Sequence, residues 1–297
     1  MALRDFGLLF VICLFWGLNL VFTRAVVADS PPLFYAFVRF ACIALVLAPF
    51  LLRPLPKQLA LVTLVGLCIG GFNFVLLFLA LRYGTASSVA VAGQLGLPIT
   101  TLLSMWFLGE KVGVYRGVGM ALAFVGVLVI AIDPSELAFS LGVVLSVGAA
   151  LVGSIGGVVM KRMDPLPVFQ LQAWVALVSW PPPLLASLAF ERNQIAETVA
   201  MGWPYVAALA FSVFCVSIFG HGMYYALVKR YEVTLLAPLT LMTPIWAVVF
   251  GAVLLGESLG PQLLIGGAIA LVGVAIVAVR RNTQFPDAPT ITQRMTE

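Results

Sequence analysis

The chain has 297 residues, 62% of them hydrophobic and 9% charged, with a mean hydropathy of +1.12 and a formal net charge of +4. A water-soluble domain carries roughly 25% charged residues to wet its surface, so charge this scarce excludes that class and makes lipid the solvent for most of the molecule. The basic residues stand singly or in pairs between apolar runs, with no stripe along one helix, which argues against a nucleic-acid partner.

Apolar runs between charges and turn residues predict ten membrane spans, at 6–24, 32–52, 59–81, 87–109, 114–132, 139–160, 166–189, 203–228, 233–255 and 260–279. Each is close to the roughly 20 helical residues that cross a hydrocarbon core. Period-2 alternation is absent, and only helices satisfy every backbone amide within one segment, so the expected fold class is an all-α integral membrane protein.

In the first span, Arg4 precedes an apolar stretch and Val26-Val27-Ala28 would pass as a signal-peptidase site. The stretch Phe6–Thr23 is long for a signal core and contains Trp16 and Asn19, so it reads as a retained span whose Trp16 and Asn19 share a face. Span 2 carries Arg39 with no acidic partner in sequence. It is either a guanidinium that receives a substrate carboxylate or an arginine that snorkels outward or bonds a neighbour's carbonyls. Asn73 in span 3 lies among phenylalanines. Gln170 and Trp174 are four apart on span 7, and Ser217, His221 and Tyr224 run at intervals of four and three on span 8. Each polar–aromatic face suits either a pocket that stacks an aromatic solute or interhelical hydrogen bonding.

Pro98 in span 4 and Pro244 in span 9 remove a hydrogen bond to the carbonyl four residues back, which predicts freed acceptors at Gln94 and Thr240. Those carbonyls are candidates to receive the ammonium of an amino acid; alternatively the prolines only kink the helices for packing. The stripes Gly119/Ala123/Gly126 and Gly266/Ala270/Gly273 predict close helix packing, and Glu110 and Glu257 are expected to cap turns at the membrane edge. Cys13, Cys42, Cys68 and Cys215 all lie in apolar runs and read as small buried hydrophobes, forming neither a disulfide framework nor a metal site.

The chain also repeats itself. The stretch from Ala80 to Val127 lays over Ala226 to Val274, with Pro98 on Pro244, Gly109-Glu110 on Gly256-Glu257 after a one-residue insertion, and one glycine stripe on the other. Five spans per copy is odd, so the second copy must enter the membrane from the opposite side. The expected organisation is two inverted five-helix repeats, 1–136 and 137–281, followed by a polar, disordered cytoplasmic tail over 282–297. With the N-terminus inside, eleven basic residues (Arg4, Arg53, Lys57, Lys111, Arg116, Lys161, Arg162, Lys229, Arg230, Arg280 and Arg281) face the cytoplasm and three (Arg24, Arg82, Arg192) face away. That bias predicts both termini cytoplasmic.

Two five-span halves, a proline in each fourth span followed by Gly-Glu and a glycine-rich fifth span, together with Arg39 and Trp16-Gly17, resemble the EamA-type drug/metabolite transporters, over about residues 6–280. The closest likeness within that superfamily is to bacterial aromatic amino-acid exporters. The resemblance implies a bacterial inner-membrane carrier of amino acids, other metabolites or drugs, without a cofactor. No Asp or Glu lies inside a span, so facilitated diffusion or exchange is expected over proton coupling, with His221 the one group in a span able to titrate near neutral pH. None of the four lysines follows a glycine, which excludes a Walker A loop and an ATP-driven pump. A filter loop or charge ring of a channel is likewise missing. The rival from another class is an intramembrane hydrolase built on Ser154 and His221, although Gly153-Ser154-Ile155-Gly156 lacks the glycine two before the serine that a nucleophile elbow needs. Nothing in the sequence sets the oligomeric state.

Overall fold

A computed structural model describes residues 1–52, 56–109, 112–133, 138–228, 230, 231, 236 and 239–279. Among these are ten apolar helices: α1 (Leu3–Asp29), α2 (Pro32–Val46), α3 (Leu59–Tyr83), α4 (Ala86–Phe107), α5 (Val114–Ala131), α6 (Leu141–Met160), α7 (Val168–Phe190), α8 (Trp203–Val228), α9 (Met242–Leu255) and α10 (Pro261–Val279). The expected all-α membrane fold is what they form. Arg53, Glu110, Lys111, Lys229, Arg280, Arg281 and the tail 282–297 lie outside the described residues, so the capping expected of Glu110 and the disorder expected of the tail do too.

Eight of the ten helices are long enough by themselves to cross a bilayer; α2 and α9 are not. Span 2 was expected to run to residue 52, but α2 stops at Val46 and a 3₁₀ turn covers Ala48–Leu52. Pro49 is the cause, because it cannot donate to the carbonyl of Leu45 and disfavours helical torsions at Ala48. In span 9 the helix α9 begins at Met242, and a turn at Thr240–Leu241 precedes it.

Two features were not expected. Ile132–Asp133 (β1) pairs antiparallel with Ala138–Phe139 (β2), a two-residue ladder in the α5–α6 connection, so helices are not quite the only regular structure. A short helix, Gln194–Met201, precedes α8 and presents Ile195 and Val199, each 72% exposed, one turn apart and followed by exposed Trp203. That is the pattern of a helix lying in the headgroup layer.

The tightest crossing is α5 on α10. A Cβ added at Gly126 would stand 2.3 Å from the amide of Ala270 and 2.5 Å from the carbonyl of Gly266. One added at Gly273 would stand 2.4 Å from the amide of Ala123. The two small-residue stripes therefore pack on each other, backbone to backbone, each serving as the other's groove. The corresponding helix ends match as well. Gly109 and Gly256 adopt left-handed φ of 67° and 64°, and each donates its amide to the carbonyl five residues back, Ser104 and Gly251. Only glycine enters that conformation without strain.

Two glutamates of the second half cap helices of the first. Glu257 accepts from the amides of Ala86 (2.6 Å) and Ser87 (3.0 Å) and from the Ser87 hydroxyl, holding the start of α4. Glu191 does the same for α2, accepting from the amides of Leu33 (2.8 Å) and Phe34 (3.0 Å). Each carboxylate meets the positive end of a helix dipole. All four cysteines are free thiols.

Candidate transport cavity

Helices α2, α3, α7 and α8 enclose a cavity with about 630 Å³ of empty space, including its mouth. Arg39 enters it from α2. Its residue is 2% exposed, which removes the outward-snorkelling alternative. The guanidinium lies 4.9 Å from the Phe74 ring centroid and 5.9 Å from that of Phe78. Nη2 donates to the Ser217 hydroxyl at 3.2 Å, while Nε and Nη1 are buried without a partner. A buried cation is ordinarily paired, so two idle donors in a cavity wall mark a place for an anion.

Helix α8 supplies Ser217, His221 and Tyr225 to the same wall. Its stretch Phe211–His221 is π-helical, and the Ser217 hydroxyl donates to the carbonyl five residues back, Ser212, at 2.9 Å. The wider turn brings 217 and 221 onto one side, and 225 follows one α-helical turn later, where the sequence count had grouped 217, 221 and 224. Tyr224 instead packs on Trp16, at 5.3 Å between rings. A second π segment, Leu67–Phe72 in α3, brings Ile69 and Gly70 to the opposite wall. Helix α7 contributes Gln172, whose carboxamide oxygen and nitrogen are both buried without a partner.

The other predicted residues divide. Trp16 stands behind His221, at 5.2 Å between rings, and supports the wall from α1. Asn19 accepts a short hydrogen bond from the Ser212 hydroxyl, which also lies 3.4 Å from that of Tyr35, so Asn19 belongs to a network joining α1, α2 and α8. Asn73 donates to the Ala149 carbonyl at 2.6 Å and fills the space left by Gly153, which makes it a bond between α3 and α6. Gln170 and Trp174 are on another side of α7 and do not line this cavity. Gln94, Pro98, Thr240 and Pro244 do not line it either. The carbonyls expected to be freed by the prolines are taken up: that of Gln94 accepts from the Leu97 amide at 3.3 Å and that of Thr240 from the Thr243 amide at 2.9 Å. Tighter three-residue turns replace the lost bonds, in equivalent places in both halves.

Ser154 donates to the Gly96 carbonyl at 2.9 Å, tying α6 to α4, and no hydrogen bond joins it to His221 among the described residues. No group of three or more His, Cys, Asp or Glu that could hold a metal ion occurs among the described residues.

The cavity borders a second one at one end. Met160, Leu171 and Tyr225 also line a second cavity with Met163, Asp164, Pro165 and Leu166, which leads to the α6–α7 loop. Toward the other end it is closed by Tyr35, whose ring lies 5.1 Å from that of Tyr205 and 5.6 Å from that of Phe78, and by the Asn19–Ser212–Tyr35 network.

A bundle of ten apolar helices with a cavity among them, built on matching helix breaks in two halves, is the frame of a membrane transporter. The EamA-like transporter family matches this chain twice, over residues 6–132 and 140–279, and the chain belongs to that family. A protein of Salmonella typhimurium (strain LT2), named "Probable amino-acid metabolite efflux pump", is 31% identical over 286 residues, covering 93% of this chain and 95% of the relative. A protein of Escherichia coli (strain K12) with the same name is 29% identical over 285 residues, with the same coverage. An "Uncharacterized transporter YvbV" of Bacillus subtilis (strain 168) is 26% identical over 93% of this chain and 92% of its own. A crystal structure 17% identical in sequence superposes with a TM-score of 0.63 over 100% of both chains, a likeness of fold alone.

Proposed function

We propose that this transporter exports amino acids and related carboxylate-bearing metabolites, aromatic ones among them, by alternating access in the bacterial inner membrane. The observation that carries the reading is Arg39, buried in the cavity wall with Nε and Nη1 unpartnered and aromatic rings around it. A carboxylate there accepts a charge-assisted pair from the two idle donors. Phe40, Phe74 and Tyr225 supply the apolar and aromatic surface for a side chain. The efflux-pump names of the two enterobacterial relatives support an outward direction and an amino-acid-type substrate. Two inverted repeats, 1–136 and 137–281, give the paired conformations that alternating access requires. Both termini are cytoplasmic in this reading, so the cavity opens toward the cytoplasm, where the solute to be exported is loaded.

Among the described residues the cavity wall holds no Asp or Glu, so in this reading transport runs down the solute gradient or by exchange. The test is flux of labelled amino acids from proteoliposomes of the purified protein, with and without a pH gradient. Saturable flux of aromatic amino acids that survives collapse of the gradient is expected. Flux that appears only with an imposed gradient overturns the energetics, and no flux of any carboxylate overturns the substrate class.

A further inference from the structure

Gln172 is the second idle polar group of the cavity, and nothing in the sequence pattern singled it out. Gln170 and Gln172 are two residues apart on α7, a turn of about 200°, so they face nearly opposite ways. Gln170 is buried away from the cavity, whereas Gln172 lines it with both polar atoms of its carboxamide unpartnered. A buried carboxamide is normally hydrogen-bonded, because leaving a donor and an acceptor both unpaired costs the desolvation of each. Gln172 shares the wall with the two idle nitrogens of Arg39; much of the rest is Phe40, Ile43, Ile69, Phe74, Val175 and Ala176.

We propose that Gln172 reads the substituent next to the carboxylate, and that the cavity therefore takes α-amino and α-hydroxy monocarboxylates with apolar side chains. The inference rests on Arg39 holding the carboxylate. With the carboxylate on Arg39, a ligand's α-ammonium donates to Oε1 of Gln172. An α-hydroxyl donates to Oε1 or accepts from Nε2. A plain methylene at the α position does neither and leaves the carboxamide unpaired, as it is in the empty cavity. A cationic ligand without a carboxylate, such as an amino-acid ester, brings its charge beside Arg39 with no acid among the described wall residues to offset it.

Three ligands with one skeleton separate these cases: phenylalanine, 3-phenyllactate and 3-phenylpropionate, each measured for binding to the purified protein and for flux in proteoliposomes. The unmodified protein should prefer the first two over the third by about five- to tenfold, the scale of one buried hydrogen bond. Gln172→Met, close in volume, should bring phenylalanine and phenyllactate down to the level of phenylpropionate and leave phenylpropionate unchanged. Equal weakening of all three in Gln172→Met means a packing role and overturns the proposal. So does equal binding of all three by the unmodified protein, a result that stands even if the variant fails to fold. Binding of none of the three by the unmodified protein is a different outcome, since it removes the carboxylate reading at Arg39 itself.

Discussion

Replacing Arg39 with methionine should have opposite effects on stability and on transport. The guanidinium makes one hydrogen bond, to Ser217 at 3.2 Å, and lies near two phenylalanine rings. A hydrogen bond to a charged group contributes about 1.5–3 kcal/mol, and a cation–π contact about 0.5–2 kcal/mol. These gains sum to a few kcal/mol. Against them stands the cost of burying a cation with Nε and Nη1 unpaired, which is several kcal/mol even after relaxation. Methionine fills similar volume and removes both sides of the balance. The thermal midpoint of purified Arg39→Met should therefore stay level or rise, as apolar replacement of buried ions does elsewhere. Carboxylate flux per folded molecule should fall at least about tenfold, the loss of one charge-assisted pair. Arg39→Lys should fall between, since it keeps the charge without the planar fork. Thermal unfolding in detergent and proteoliposome flux normalised to folded protein are the two assays. A variant that unfolds earlier yet transports at the original rate per folded molecule would make Arg39 a structural residue and refute the reasoning.

Two further outcomes test the frame. Gly126→Val pushes a side chain into the backbone of Ala270 and Gly266, where even a Cβ would stand at 2.3 and 2.5 Å. It should lower the unfolding midpoint by an overpacking cost of about 1–3 kcal/mol or more, while Gly117→Val, in open space on the same helix, should not. With Cys13, Cys42, Cys68 and Cys215 replaced, single cysteines placed in the Arg53–Lys57 and Lys161–Arg162 loops should resist impermeant thiol reagents in intact cells. Ready labelling from outside would reverse the orientation and with it the side to which the cavity opens.

The spans, the glycine stripes and the proline breaks were legible because each depends on local chemistry that no tertiary contact can override. Apolar length sets a span, absence of a Cβ sets a close crossing, and absence of an amide proton sets a break. Arg39 was legible as a candidate because an ionised group in an apolar run stands out, but only its burial removes outward snorkelling. Tyr225 was missed because residues three and four along a helix share one broad face, and only the packing shows Tyr225 in the wall and Tyr224 against Trp16. Gln172 was missed because the pair Gln170 and Trp174 marks the other side of α7. Glu191 and Glu257 carry no mark of their partners, since capping a helix more than 150 residues away is a property of the assembled bundle.

The distribution of tight and loose packing fits the alternating access proposed above. The α5–α10 crossing is backbone against backbone and cannot slide without steric clash, which suits a fixed spine. The closed end of the cavity is held differently. Tyr35, Tyr205 and Phe78 meet as ring pairs, each contributing about 0.5–1.5 kcal/mol. The Asn19–Ser212–Tyr35 network consists of neutral hydrogen bonds of about the same worth. The closed end is thus stabilised by only a few kcal/mol, the range in which a ligand's preference for one state can shift a conformational equilibrium. On the proposed reading, a carboxylate on Arg39 biases which end is open only by the difference in its binding free energy between the two states.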